Sequence, residues 1–264
     1  MNTEPSLNKG DVDFGKHALD YATHRAGFPA SFFSRLDDLG ILASGRRLLD
    51  LGTGTGTIAR SLAQRGLVVT GLDPSENLLN EARELDRREN VAIEYLTGRA
   101  EQTGFPGASF DYLTAGQCWH WFEHDAVVRE AKRLLRPRGH LIVAYFDWME
   151  KPDNPVAVMY ELRRKYNPRW KSEWPLGFYP QEPKDLQFDG FEMVTSFAYE
   201  ENISYSHIGW RGRMRAYAGI GGSLPKPVVE EFDKEFAEVL SRKFPTQPML
   251  IPHRVWAAVW RLPG

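Results

Sequence analysis

Glycine stands at positions 52, 54 and 56, just after an acidic residue and an apolar run, in Leu48-Leu49-Asp50-Leu51-Gly52-Thr53-Gly54-Thr55-Gly56-Thr57. Glycines at alternate positions allow a tight turn and let backbone N–H groups come close to a ligand at the start of a helix. The pattern is not the dinucleotide fingerprint, which needs a third glycine where this chain has Thr57, and no Gly-Lys-Ser/Thr follows to complete a Walker loop. Asp50 would repel a pyrophosphate and favours a ligand that carries positive charge. About twenty residues on, a second apolar run, Leu67 to Leu72, ends in Asp73, the place from which a carboxylate accepts hydrogen bonds from ribose hydroxyls. S-adenosylmethionine carries an ammonium, a sulfonium and a ribose, and both acidic residues suit it.

A third group of candidates follows the apolar run Phe110 to Ala115, in Gln117-Cys118-Trp119-His120-Trp121-Phe122. Methyl transfer from a sulfonium is an in-line displacement, so the protein has to align a nucleophile, exclude water and, where needed, remove a proton. His120 is the first candidate for that base or for a hydrogen bond to substrate, because an imidazole changes charge near neutral pH. Trp119 and Trp121 are candidates for a pocket wall or for ordinary core. His120 and His124 flank Glu123, but the order is not H-E-x-x-H and no third ligand is evident, so no metal is expected. Farther on, Arg211 and Arg215 share one face of an expected helix and would suit an anionic substrate if that face met a pocket.

The elements that position these residues alternate in type. Strands are expected at 47–51, 68–72, 91–96, 110–115 and 140–146. Helices are expected at 57–64, from Ser75 as N-cap to 87, and at 125–135, the last stopped by Pro137 and Gly139. Apolar residues at helical spacing from Phe28 to Leu39 predict a further helix ahead of them. This βαβα order predicts a parallel sheet covered by helices on both faces. Residues 1–12 are expected to be a mobile arm. From 147 to 189 prolines, including Pro152, Pro155 and Pro168, break the pattern among aromatics such as Trp148, Tyr160, Tyr166 and Trp170; this stretch is expected to be a lid or substrate-recognition insertion, with Trp148 a candidate substrate contact. A strand over 191–199, helices over 204–219 and 225–244, and a last strand over 255–260 complete the chain.

On these residues the chain resembles the class I S-adenosylmethionine-dependent methyltransferases, in particular their small-molecule branch. LLDLGTGTG is similar to the family's first motif, Asp73 in GLDPS to its acidic ribose-binding residue, and Gly98-Arg99-Ala100-Glu101 to its adenine-side motif. FDYLTAGQCWHWF resembles the fourth-strand segment, and VVREAKRLLRPRGHLIV the helix and turn that follow it. Tyr21-Ala22-Thr23-His24-Arg25, followed by Phe28-Pro29, resembles the family's Y-x-x-x-R-P-x-Y-P segment, with Ala26 in place of its proline. The resemblance implies one domain over 1–264: a Rossmann-like, doubly wound α/β sheet of seven strands with an antiparallel last strand. It implies a cofactor site of Tyr21, Arg25, Asp50, Gly52, Thr53, Gly54, Gly56, Asp73, Pro74, Ala100, Glu101, Gln117 and Cys118, with Tyr21 and Arg25 over the methionine end.

With 264 residues, of which 42% are hydrophobic, the chain can bury a sizeable core, and a formal net charge of −2 supplies no basic field for nucleic acid. Its one cysteine, Cys118, allows no internal disulfide, and MNTEPSLNKGDVDFGK has no apolar leader pattern, so a cytoplasmic protein without a membrane partner is expected, as monomer or homodimer. The expected activity is methyl transfer to an oxygen, nitrogen or carbon of a small molecule. Two alternatives stay open: a cofactor-binding enzyme of the same fold that catalyses a cyclisation or rearrangement, and a nucleic-acid or protein methyltransferase. The last is disfavoured because Gln117-Cys118-Trp119-His120 stands where base-amino methylation would show Asn/Asp-Pro-Pro-Tyr/Phe.

Overall fold

The computed structural model describes residues 27–170 and 190–264. The expectations for Tyr21, Arg25, the arm over 1–12 and the insertion from 171 to 189 lie outside them. Among the described residues the helices are α1 Ala30–Asp38, α2 Thr57–Ala63, α3 Glu76–Glu89, α4 His124–Leu134, α5 Pro155–Tyr166, α6 His207–Arg215 and α7 Lys226–Lys243. The strands are β1 Arg47–Leu51, β2 Val68–Asp73, β3 Glu94–Thr97, β4 Phe110–Gly116, β5 Leu135–Trp148, β6 Glu192–Tyr205 and β7 Met249–Arg261. They form one sheet in the order β3-β2-β1-β4-β5-β7-β6. Neighbours from β3 to β5 run parallel, and β7 is antiparallel. The order reverses at β1, between β2 and β4, and in an open α/β sheet that switch point is where a crevice forms at the carboxyl ends of the strands.

The chain divides into two compact units. The larger comprises Gly27–Phe146, 190–199 and Arg254–Gly264 of the described residues. Strands β1, β2 and β4 are buried on both faces, which is why they read as nearly continuous apolar runs. Leu49, Leu51, Leu113 and Val143 pack with Val127, Ala131 and Leu134 of α4 and with Trp256 and Trp260 of β7. The smaller comprises 147–170 and Glu200–His253. Its core is helical: Met159 of α5, Trp210 and Met214 of α6, and Phe232, Phe236 and Leu240 of α7 are all fully buried.

Two proline signals act differently from the sequence expectation. Pro155 does not interrupt a helix but starts one: it occupies the first turn of α5 behind Asn154, whose side chain accepts a hydrogen bond from the Ala157 N–H at 2.9 Å. A proline costs nothing there because the first-turn N–H has no intrahelical acceptor. Pro137 and Gly139, expected to separate α4 from a strand starting at 140, lie inside β5. Phe110 of β4 pairs with Leu135 and Tyr112 with His140, so residues 136–139 loop out of the ladder, with Arg138 at φ 66°. A bulge is one of the few places where a sheet accepts proline. The loop is held by β7's end: Arg138 N donates to Leu262 O at 3.0 Å, and Leu262 N to Gly139 O at 2.9 Å.

Candidate functional site

At the carboxyl end of β1 the three glycines adopt φ of 62°, 56° and 74°, all in the left-handed region. A side chain at Gly52 would place its Cβ 2.9 Å from both Cβ and Sγ of Cys118, and one at Gly56 would place its Cβ 2.2 Å from the Tyr95 hydroxyl oxygen. The loop is thus pressed between the segment after β4 and the ring of Tyr95 on β3, and only glycine fits.

The two acidic residues divide the work of holding it. Asp50 is 2% exposed, and its two oxygens accept from the hydroxyls of Thr53 (2.7 Å) and Thr114 (2.6 Å), tying β1, the loop and β4 together. Burial raises its carboxyl from 3.8 to about 6, opposed by the two threonine hydroxyls, with Asp73 adding a smaller upward push. Asp73 accepts from Gly54 N at 2.8 Å and from Ser75 N at 2.9 Å, so it joins the middle of the glycine loop to the start of α3. Burial raises its carboxyl too, against those two amide hydrogen bonds. Each Asp73 oxygen keeps acceptor capacity beyond its one amide.

The upward shift at Asp50 has a stability consequence. A carboxyl raised by folding contributes stability that is fully present below pH 3.8 and is lost as the pH rises through about 6. Asp50→Asn has no such loss. The wild type is therefore expected to lose about 2 to 3 kcal/mol relative to Asp50→Asn between about pH 4 and pH 7. Urea denaturation of the two proteins across that range checks it, and parallel pH profiles would remove Asp50 from the account.

The segment after β4 packs on the loop. Gln117 has φ 62° and its side-chain amide donates to the Phe146 carbonyl, while Cys118 Sγ donates to Leu51 O at 3.1 Å. Trp119, His120 and Trp121 form one 3-10 turn. Trp119 has no accessible surface and belongs to the main core, which corrects the expectation that it touches substrate: its apolar area packs on Phe122 and stacks on His124. His120 and Trp121 are half-buried, with His120 Nδ1 3.4 Å from the Tyr145 hydroxyl and the two rings stacked at 5.8 Å. Ala100 is buried, Pro74 is exposed, and Glu101 accepts from Glu123 N at 3.1 Å, linking the loop after β3 to the start of α4. The structure thus brings Asp50, Gly52–Gly56, Asp73, Gln117 and Cys118 together around the carboxyl ends of β1, β2 and β4.

Arg211 and Arg215 of α6, which would suit an anion only if their face met a pocket, both turn to Asp233 of α7 within the smaller unit, at 3.0 Å and 3.2 Å. Trp148 also lies in the smaller unit, its indole N–H donating to the Tyr160 hydroxyl at 2.9 Å.

Two supporting residues escape sequence reasoning. Arg60 of α2 is 6% exposed; it donates to Asp86 at 2.6 Å and to the carbonyls of Thr55 (3.0 Å) and Ala82 (3.1 Å), bracing the glycine loop from beneath. The only signal is an arginine set among Ile58, Ala59 and Leu62. Glu130 of α4 accepts from the N–H and hydroxyl of Thr103 at 2.8 and 2.6 Å, fixing the loop after Glu101; Arg133 holds its carboxyl down at about 2, against its burial.

Residues 49–143 match the model of a family described as methyltransferase domain. Over 130 residues the chain is 34% identical to an uncharacterized methyltransferase of Mycobacterium tuberculosis, covering 49% of this chain and 50% of that protein. Over 125 residues it is 36% identical to the ubiquinone biosynthesis O-methyltransferase of Pseudomonas aeruginosa, covering 45% and 50%. The chain spans about half the length of these curated relatives. Among solved structures, phosphoethanolamine N-methyltransferase 2 of Haemonchus contortus, in complex with phosphomonomethylethanolamine and S-adenosylhomocysteine, shares the fold with a TM-score of 0.57 at 20% identity, covering 96% of this chain and 60% of that one. Among the described residues no helix is long and apolar enough to cross a membrane.

Proposed function

We propose, from the premise that residues 49–143 form a methyltransferase domain of the class I S-adenosylmethionine-dependent family, that this chain transfers a methyl group to an oxygen, nitrogen or carbon of a small organic molecule. The observation that carries it is the glycine loop at the sheet's switch point with Asp73 bound to the Gly54 N–H. The fit to the cofactor is steric and electrostatic. A Cβ at Gly52 or Gly56 would crowd Cys118 or Tyr95, so the loop presents backbone rather than side chain, and Asp73 offers a buried carboxylate to a pair of hydroxyls.

In this reading Gly52, Thr53, Gly54 and Gly56 hold the methionine end, Asp73 the ribose, Ala100 and Glu101 line the adenine side, and Gln117 and Cys118 lie toward the sulfonium, with Tyr21, Arg25 and Pro74 completing the set. S-adenosylmethionine supplies the activated methyl on its sulfonium. Asp50 keeps the loop in shape, and its negative charge favours a cationic ligand. His120 takes the acceptor's proton or holds the acceptor by a hydrogen bond, with Trp121 as an apolar substrate contact. The protein works in the cytoplasm as a single methyltransferase domain, as monomer or homodimer, without a nucleic-acid partner.

Native mass spectrometry of the purified chain with S-adenosylmethionine, followed by incubation with a small-metabolite extract, tests the reading. Bound cofactor and extract-dependent S-adenosylhomocysteine are expected, together with a product heavier by one methylene. Bound cofactor without turnover transfers the assignment to a cyclisation or rearrangement, and absence of binding overturns the cofactor.

A further inference from the structure

The smaller unit holds a guanidinium that this reaction does not use. Helix α6 carries arginines at 211, 213 and 215. With 3.6 residues per turn, the outer two share a face and the middle one projects from the opposite side. The outer pair meets Asp233. Arg213 instead lies over the indole of Trp148, its Cζ 4.7 Å from the ring centroid, and among the described residues no carboxylate stands within ion-pairing distance of it.

The groups around Arg213 are aromatic. Tyr205, Tyr217, Tyr160 and the Asp147 carboxylate are its electrostatic neighbours, the carboxylate acting more strongly than Tyr217 or Tyr160, and His253 feels its charge. Trp148 is fixed by its hydrogen bond to Tyr160 and meets Tyr217 edge to face at 5.4 Å. Trp148, Tyr160, Arg213 and Tyr217 each keep accessible surface. Yet the surroundings are dry enough that burial is the largest influence on three of them, pushing the Tyr160 and Tyr217 hydroxyls up and the Arg213 guanidinium down. Flat rings around a cation suit a flat organic anion.

We propose that the smaller unit binds a small organic acid, its carboxylate paired with the Arg213 guanidinium and its flat apolar body lying against Trp148, Tyr160 and Tyr217. Arg163, buried with its guanidinium over the Tyr160 ring and donating to the Trp170 carbonyl at 2.6 Å, adds a second positive charge. Burial, the leading cause, brings His253 down to about 4, so that it is neutral at physiological pH. A guanidinium's planar fork matches a carboxylate with two parallel hydrogen bonds. The binding does not rest on the proposed transfer.

The test therefore measures binding, without cofactor or turnover. Benzoate, 4-hydroxybenzoate and indole-3-acetate are each titrated against their own amides on the full chain, followed by calorimetry and by quenching of tryptophan fluorescence. At least one acid is expected to bind about tenfold more tightly than its amide, the value of a charge-assisted pair. Arg213→Met should erase that preference and Arg213→Lys should keep part of it, with circular dichroism unchanged. No acid binding at up to about 10 mM, equal binding of acid and amide, or a preference that survives in Arg213→Met overturns the site. If Arg213→Met does not fold, the wild-type comparison and Arg213→Lys decide it. Failure here with S-adenosylhomocysteine still formed from an extract would leave the methyl transfer standing.

Discussion

Gly56→Ala is expected to lose about 3 kcal/mol of stability, the sum of a left-handed residue with a side chain and of overpacking against its neighbour. That corresponds to a melting temperature lower by about 10 °C for a chain of this size. The position has φ 74°, and the new Cβ would fall 2.2 Å from the Tyr95 hydroxyl oxygen. Tyr95 cannot retreat easily: its ring also lies against Gly71 of β2, where an added Cβ would come within 2.6 Å of it. The two costs can be separated. In the double variant Gly56→Ala/Tyr95→Phe the clashing atom is gone while Cζ remains at 3.2 Å, so about half of the loss should return, leaving the backbone cost. Thermal unfolding of the two variants beside Tyr95→Phe alone measures this, and a Gly56→Ala protein that melts with the wild type would mean the loop tolerates a different turn.

Asp73→Ala is expected to weaken S-adenosylhomocysteine binding about a hundredfold, measured by calorimetry. Two losses combine. The ligand loses a charged acceptor for its ribose hydroxyls, and the Gly54 and Ser75 N–H groups lose the carboxylate that joins the loop to α3. Asp73→Asn retains one acceptor oxygen and should fall between. Unchanged affinity in Asp73→Ala would sink the assignment of the ribose anchor, whereas equal losses in Ala and Asn variants would assign the effect to charge rather than to loop geometry.

The parts of the fold that were legible in the sequence are those decided locally. Arg47–Leu51 reads as a strand because four of its five residues are buried, and α4 reads as a helix because Val127, Val128, Ala131 and Leu134 recur on one buried face. The cap of α3 was legible as well, since Ser75 accepts from the Leu78 N–H. What was not legible depends on partners far along the chain. Nothing near Trp119 says that its ring is enclosed, because the core it joins is assembled with residues far along the chain, such as Leu51, Ala100 and Trp256. Arg211, Arg213 and Arg215 look equivalent in sequence, yet Asp233, about one helix away, takes the outer two and leaves the middle one. The glycine loop lies between these cases: its left-handed turns follow from residue type, while its bracing by Arg60 and its contact with Tyr95 require α2 and β3 to be in place. Strand β3 was expected from 91 but starts at Glu94, since Val91 N is spent on the Asp86 carbonyl at the end of α3.

The looped-out residues 136–139 give the sheet a buffer for chain length. A residue gained or lost among Arg136, Pro137, Arg138 and Gly139 changes only the size of a loop held at its base, because Leu135 and His140 keep their partners on β4. One lost between His140 and Ala144 would turn Leu141 and Val143, both without accessible surface, toward the opposite side of the sheet and slip every pair beyond it. Insertions that leave the architecture intact therefore have a ready place at the end of β5 remote from the glycine loop, and tags or labels placed there would report on the protein without disturbing the edge where the ligand is expected.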